Sequence, residues 1–190
     1  QSSSIQAYRE AYKRLGIDPE EYKSSIEYLV TQAARGKGIP MINPIADLAS
    51  AVSIKYLVPV RIYDIDAVDH RLEVRFSEDG DIFAPYGEED RKEEVEPGEV
   101  VYASGKKVKA RKWIWRQSEE GKIKKDTSRL LVSIDGFEGI NKESVLAARD
   151  EVASYLAESF DATVATEFLN YSHNKITAAT GGEGEEKSGH

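Results

Sequence analysis

The chain has 190 residues, of which 40% are hydrophobic, and its formal net charge is −8. This length and hydrophobic content predict one domain with its own core, and no apolar run is long enough to span a membrane. The absence of Cys excludes disulfides and thiolate metal sites. Because the sequence begins at Gln1 rather than Met, we expect the natural protein to have further residues upstream.

The first third of the chain has the apolar spacing of helices. The first helix is predicted to begin at Ser4 and to end at Gly16. Ser24 and Glu27 have the spacing of a capping box for a second helix, which is predicted to end at Gly36.

The stretch 42–66 is predicted to join a buried helix to a central strand. Asn43 is a suitable N-cap, and Pro44 fits the first helical position because that position needs no N–H donor. Pro59 is expected to end the helix. The alternation of apolar and polar residues over 60–63 then indicates a strand.

From residue 59 to 134 the hydrophobic pattern mostly has the period of a β-strand. A strand is predicted at 71–76, with Leu72, Val74 and Phe76 facing the core, and a hairpin at 78–81 is expected to lead into a strand at 82–83. Strands at 99–103 and 108–116 are predicted to form a hairpin around Gly105, and a last strand is predicted at 128–134. The last third is predicted to hold a helix from Asn141 to about Ser159 and a possible terminal strand at 163–169. One domain is therefore expected over residues 1–178, followed by a flexible acidic and Gly-rich tail over 179–190.

The net charge hides two oppositely charged blocks. Residues 88–99 carry seven acids and two basic residues, and they are predicted to form a solvated loop. Residues 105–125 carry nine basic residues and two acids. In a strand over 107–116, the two Trp would lie beside cations and could stack bases while the cations neutralise phosphates. The predicted RNA-binding residues are Lys109, Arg111, Trp113, Arg116, Lys122 and Lys124. Alternatively, at least one of Trp113 and Trp115 fills the core.

Motifs for other chemistries are missing from the sequence. His70, His173 and His190 do not have the spacing of metal ligands or of a catalytic triad, and His70 fits the end of a hairpin. No phosphate-binding Gly-rich motif occurs. The sequence therefore predicts no metal and no cofactor, and by itself it identifies no catalytic residue.

Several segments in chain order resemble one family. They are Ile42–Asp47, Pro59–Asp66, Ile5–Tyr12, Pro97–Tyr102 and Trp113–Ser118. Together they resemble the tRNA-editing domain of the β subunit of phenylalanyl-tRNA synthetase, the B-three/four (B3/4) domain. The resemblance implies an α+β fold in which a curved, barrel-like, mostly antiparallel sheet carries helices on its outside.

The resemblance also implies an activity, which is hydrolysis of the ester of a wrongly charged tRNA. The partner would be the aminoacylated 3′ end of tRNA in the cytoplasm, and neither DNA nor a membrane is an expected partner. The implied substrate pocket lies between the helix after Asn43 and the strand ends. Its expected residues are Asn43, Asp47, Ser50, Arg61, Tyr63, Asp64, Trp115, Ser118 and Ser133. Asp64 and Asp66 could instead cap the strand end, which is a common use of Asp.

The chain departs from the family pattern at three places. Arg61 stands where the family has His, Ser133 stands where it has a functional Glu, and Trp115–Arg116 replaces a Gly-Gly pair that lines the pocket. Two hypotheses follow. The first is an esterase that acts in trans on aminoacyl-tRNA, and the second is a non-catalytic module on the same scaffold that binds tRNA or an amino acid.

Overall fold

Three helices precede the first strand, and a fourth follows the last. The structure is a computed structural model that describes residues 2–39, 41–69 and 71–177, so the predicted tail, His70 and His190 lie outside the described residues. The helices are α1 (Ser3–Arg14), α2 (Ser25–Ala34), α3 (Pro44–Tyr56) and α4 (Lys142–Phe160). The strands are β1 (Val60–Asp64), β2 (Glu73–Phe76), β3 (Ile82–Phe83), β4 (Glu93–Glu94), β5 (Val100–Ser104), β6 (Lys107–Arg111), β7 (Arg116–Gln117) and β8 (Leu130–Ile134).

Local capping signals explain where the first two helices begin. Ser2 caps α1 by accepting from the Ile5 N–H at 3.3 Å, so this helix begins before the predicted Ser4. Ser24 caps α2 as predicted and accepts from the Glu27 N–H at 3.3 Å. The Glu27 carboxylate does not complete the capping box, because it pairs with Arg9 of α1 instead.

The third helix follows its sequence signals closely. The Asn43 side chain accepts from the Ala46 N–H at 2.9 Å, and Pro44 is the first helical residue. The helix ends at a left-handed Leu57 with φ +55°, two residues before the predicted stop at Pro59. Its apolar side packs with α4 in a core that includes Val52 and Val152.

The strands form two separate sheets. β1 and β8 make a two-stranded antiparallel sheet. The larger, six-stranded sheet has the order β2-β5-β6-β3-β4, with β7 paired to β6, and its β3–β6 pair is parallel. The fold is therefore α+β with mixed sheets. The expected barrel-like closure is not found among the strands of the described residues.

The β1–β8 sheet has two chemically different faces. Arg61 lies opposite Ser133, and cross-strand partners share a face. Val60, Val132 and Ile134 lie on the opposite face and pack in the core under α3 and α4. The face with Arg61 also presents Tyr63, which packs against residues of the larger sheet. The predicted alternation along both strands is confirmed.

The strand predicted at 71–76 is present as β2 and Leu72 packs against the core as predicted, but the prediction for Val74 and Phe76 is wrong. Val74 and Phe76 were expected to face the core, but they are 54% and 63% exposed. Arg75 faces inward instead and donates to the fully buried Asp81 at 2.7 and 3.0 Å. The expected hairpin at 78–81 does not form either, because β3 pairs with β4 and β6 rather than with β2. A period of two cannot tell which of two faces is buried.

Three further predictions are corrected. The acidic stretch 88–99 is not simply a solvated loop, because it contains β4 and the buried Val95. The strand expected to reach 116 ends at Arg111, since Lys112 and Trp113 take left-handed φ values of +46° and +59°. The segment 161–177 is irregular and contains no terminal strand. None of the helices within the described ranges has the length and apolar content to cross a membrane.

Candidate functional site

A cluster of polar side chains lies between the two sheets. Arg61 and Tyr63 project from β1, Ser133 projects from β8, and Asp135 follows the end of β8. Tyr102 of β5 approaches from the larger sheet, and its ring stacks on that of Tyr63 with centroids 5.9 Å apart. We call these five residues the polar cluster.

The polar cluster is notable for buried groups that lack hydrogen bonds. Arg61 is 4% exposed, yet its Nε and Nη1 have no hydrogen-bond partner among the described residues. The hydroxyls of Tyr63 and Ser133 and Oδ2 of Asp135 also lack a hydrogen bond of normal geometry, although Tyr102 lies close to Ser133 and Trp113 lies close to Asp135. Leaving such a group unpaired costs about 1–3 kcal/mol. Four neighbouring residues with this property provide donors and acceptors that are free to bind water or a ligand.

Asp135 is held from two sides. The Tyr102 hydroxyl donates to its Oδ1 at 2.6 Å, and the Tyr8 hydroxyl of α1 donates to its backbone carbonyl at 2.8 Å. The Asn141 amide donates to the Tyr8 hydroxyl at 2.9 Å and, through Oδ1, accepts from the Phe137 N–H at 2.7 Å. Asn141 was predicted to cap α4 and does precede it, but its side chain holds this turn instead.

The turn after Asp135 is tightly packed. A Cβ on Gly136 would lie 2.8 Å from the Asn141 Oδ1 and would also overlap the side chain of Val145. Gly139, three residues later, has open space at the same position. The position of Asp135 therefore depends on a glycine that leaves room for α4.

Burial dominates the ionisation of the polar cluster. It raises the pKa of Asp135, although the Tyr102 hydrogen bond and the charge of Arg61 act in the opposite direction. It also raises the pKa of Tyr63 to about 12, against the lowering effect of the Arg61 guanidinium. The guanidinium faces that hydroxyl, but no hydrogen bond of normal geometry joins them. Burial likewise raises the pKa of Tyr102, so Tyr63 and Tyr102 are neutral donors. Asp135 can take up a proton more readily than an exposed Asp.

An aromatic wall borders the polar cluster. Trp113 packs against Tyr8, Tyr12 and Phe137, with ring centroids 6.0 to 6.3 Å apart. Trp113 therefore fills the core, as the alternative interpretation stated for at least one of the two tryptophans, and it does not form an exposed stacking platform. Trp115 lies in the turn after β6, edge-on to the ring of Tyr22.

Two of the predicted pocket residues, Asp47 and Ser50, lie on α3, and a third, Asn43, caps it. The Asn43 side chain is used in capping this helix, and the Asp47 carboxylate accepts from the Ile42 N–H at 2.9 Å. Ser50 belongs to the same helix. Because α3 packs on the opposite face of the β1–β8 sheet from Arg61, these residues do not join the polar cluster.

Other predicted pocket residues have local structural partners. Asp64 accepts from the Thr127 hydroxyl at 2.7 Å and from the Asp66 N–H at 2.9 Å, as expected for a strand-end cap. The buried Ser118 donates to the Ala84 carbonyl at 3.0 Å. The structure therefore brings together only Arg61, Tyr63 and Ser133 of the predicted set in the polar cluster.

Two residues of the polar cluster, Tyr102 and Asp135, were absent from the predicted site. The alternation along β8 placed Asp135 on the side of Ser133, which was a usable signal. No local signal pointed to Tyr102, because its role depends on how the larger sheet packs. Two surface cavities, of about 430 and 190 Å³, lie near α1 and α2, and neither is lined by a predicted pocket residue.

Most of the predicted RNA-binding cations pair with acids of the chain itself. Arg111 donates to Glu99 at 2.8 and 3.1 Å, and Arg116 donates to Glu88 at 3.1 Å. Four of the nine basic residues in 105–125 pair with acids of 88–99, so the two charged blocks neutralise each other only in part. The reason is that the stretch 88–99 packs beside β6 and β7.

The remaining cations of that set differ in exposure. Lys109 is 1% exposed, its pKa is lowered by burial, and its closest carboxylate, that of Glu120, is 3.9 Å away. Lys122 pairs with Glu119. Lys124 is exposed, as is its neighbour Lys125, and neither has an ion-pair partner within the described part of the chain. In the same ranges no group of three or more His, Asp or Glu is placed to hold a metal ion.

Comparison with known proteins identifies the family. The model of the B3/4 domain matches residues 7–179, which is most of the chain. A search of curated proteins found no match. The chain therefore belongs to the B3/4 domain family, the domain family of the phenylalanyl-tRNA synthetase β subunit.

Proposed function

We propose that this chain hydrolyses the ester bond of wrongly charged aminoacyl-tRNA, and that the polar cluster is its active site. The observation that carries the proposal is the buried guanidinium of Arg61, whose unpartnered N–H donors lie beside a carboxyl of raised pKa. Family membership supports a role connected with charged tRNA. Translation quality control in the cytoplasm is the setting in which such an activity is needed.

The reaction needs a water molecule, a base and donors for an oxyanion. Water attacks the ester carbonyl carbon, and the carbonyl oxygen becomes negatively charged in the tetrahedral intermediate. Arg61 donates to that oxygen, while Asp135 accepts the proton of the attacking water. The ester bond then breaks and the ribose oxygen takes a proton back, which releases the free amino acid and the tRNA.

Two hydroxyls are placed to orient the substrate. Tyr63 and Ser133 flank Arg61, on the same strand and on the paired strand, and both hydroxyls lack a partner among the residues that the structure describes. They would hold the ammonium group or the ribose hydroxyl of the substrate. Arg61, at the position of the family's His, supplies a fixed positive charge rather than a proton.

A non-catalytic module that binds tRNA or an amino acid is the second candidate. Two observations favour it. The family's His and Glu are replaced by Arg61 and Ser133, and Tyr63 is fully buried, so that substrate must displace neighbouring groups to reach it. Such a module would use the same donors to bind a charged tRNA end without cleaving it.

A deacylation assay tests the proposal. Each aminoacyl-tRNA is incubated with the wild-type chain, with Asp135→Asn and with Asp47→Asn. The last variant is a matched control, because Asp47 lies on α3 outside the polar cluster. We expect the wild-type chain to release the amino acid from at least one aminoacyl-tRNA faster than the uncatalysed rate. Asp135→Asn should lower the rate of release by about 100-fold or more, and Asp47→Asn should leave it unchanged.

Two results would contradict the assignment. If no aminoacyl-tRNA is hydrolysed above the uncatalysed rate while tRNA binds in a salt-sensitive way, the chain is the non-catalytic module. If Asp47→Asn is inactive and Asp135→Asn is normal, the active site lies at α3 rather than between the sheets.

A further inference from the structure

An exposed apolar surface adjoins the polar cluster on β2. Val74 lies opposite Tyr102 on β5, and Phe76 lies opposite Val100, so all four side chains share one face of the larger sheet. Tyr102 is buried under Tyr63, whereas Val74 and Phe76 are 54% and 63% exposed. The face that belongs to the polar cluster thus continues outward as two exposed apolar side chains.

An ion pair beneath β2 keeps Val74 and Phe76 exposed. Arg75, between the two apolar residues, faces inward and makes two hydrogen bonds to the buried Asp81. It also donates to the backbone carbonyls of Phe76 and Gly105 at 2.9 and 2.8 Å. Turning the strand over would bury Val74 and Phe76 but would leave the Asp81 carboxylate uncompensated, which is strongly unfavourable. An arrangement that buries a charged pair and exposes two apolar residues is the reverse of ordinary patterning.

We propose that Val74 and Phe76 form the platform that receives the side chain of the aminoacyl group, and that the site therefore selects large apolar amino acids. This inference rests on the proposed function and names its substrate class. Tyr102 connects the platform to the reacting groups, because it shares a face with Val74 and donates to Asp135. The ester would lie at the polar cluster while the side chain covers the platform.

The small size of the platform favours an amino-acid side chain over a protein partner. A stable protein interface buries about 800 Å² on each side. Two neighbouring residues on a four-residue strand offer only a small part of that area. An aromatic or branched aliphatic side chain matches the surface in both size and polarity.

Binding of non-hydrolysable analogues tests the platform directly. The probes are adenosines with an amide-linked phenylalanyl, leucyl, seryl or alanyl group at the 3′ position, measured by calorimetry. We expect the wild-type chain to bind the phenylalanyl and leucyl probes about tenfold more tightly than the seryl probe, which is the factor expected when roughly 55 Å² of apolar surface leaves water. Phe76→Ser should remove this preference and leave seryl binding unchanged.

Control variants separate recognition from folding. Ile140 is 61% exposed, much like Phe76, and Ile140→Ser should leave all four affinities unchanged. Val74→Thr keeps the β-branched shape and should weaken only the two apolar probes. The inference is overturned if no probe binds, if the wild type shows no apolar preference, or if Phe76→Ser weakens all probes equally. It is also overturned if sedimentation shows a wild-type dimer that Phe76→Ser dissociates, since the platform would then be a contact between copies.

Deacylation kinetics distinguish failure of this inference from failure of the proposed function. If the probes bind with the apolar preference but no aminoacyl-tRNA is hydrolysed, the role of the platform is supported and the esterase activity is excluded. If seryl and phenylalanyl esters are hydrolysed at equal rates, the esterase activity is supported and the selective role of the platform is excluded.

Discussion

Replacing Arg61 with Met should stabilise the protein while removing its function. The Arg61 side chain is 4% exposed, and its Nε and Nη1 find no hydrogen-bond partner in the described ranges. Each such buried N–H costs about 1–3 kcal/mol, and Met fills similar space without a polar atom. The lost attraction to Asp135 acts the other way, but Asp135 can take up a proton because burial already raises its pKa. We expect the free energy of unfolding to rise by about 1–3 kcal/mol.

Arg75→Met is the matched comparison. Arg75 is also largely buried, but its guanidinium is paired with the Asp81 carboxylate. Removing it leaves a buried charge without compensation and should lower the free energy of unfolding by about 3–5 kcal/mol. Urea denaturation followed by circular dichroism measures both variants. If Arg61→Met were as destabilising as Arg75→Met, Arg61 would be a structural residue. The same preparation of Arg61→Met should lack deacylation activity and analogue binding.

Three further predictions concern Asp135, the turn that follows it, and the exposed lysines. Because the folded-state pKa of Asp135 lies above the unfolded value of about 3.9, proton uptake favours the folded state at pH below that value. This stabilising contribution is lost as pH rises through the folded-state pKa. Asp135→Asn should therefore flatten this part of the curve of unfolding free energy against pH, and an unchanged curve would contradict the raised pKa of Asp135. Gly136→Ala should lower stability by about 1–3 kcal/mol by thermal melting, whereas Gly139→Ala should not, and equal effects would refute the packing argument. Replacing Lys124 and Lys125 with Ala should reduce the slope of log affinity for tRNA against log salt by about 1.4–1.8, and an unchanged slope would place the RNA elsewhere.

Local signals predicted the helices well. The cap at Asn43, the Ser24 side of the capping box and the extent of α4 depend on residues a few positions apart, and the structure has them where the pattern indicated. The cap of α1 was displaced by two residues, since Ser2 and Ser4 are equivalent in sequence terms. Capping is a local competition between neighbouring hydroxyls, so errors of this size are expected.

The candidate site was predicted only in part. Arg61, Tyr63 and Ser133, which the structure places in the polar cluster, were predicted from strand alternation and from the family resemblance together. Asp47 and Ser50 were expected beside them, but α3 packs on the other face of the β1–β8 sheet. Which face of a sheet a helix covers depends on long-range packing, which no spacing along the chain encodes.

The amino-acid sequence by itself determined the N-caps of α2 and α3, the alternation along β1 and β8, and the membership in the B3/4 family, because the caps and the alternation depend on neighbouring residues and the family is matched by sequence alone. Only the tertiary structure decided that Arg75 turns inward to Asp81 while Phe76 turns outward. It also decided that acids of the stretch 88–99 pair with Arg111 and Arg116, and that the polar cluster forms between two sheets. The physical reason is that charge pairing and burial are properties of surfaces that meet in space, and residues far apart in sequence supply the two sides of each contact.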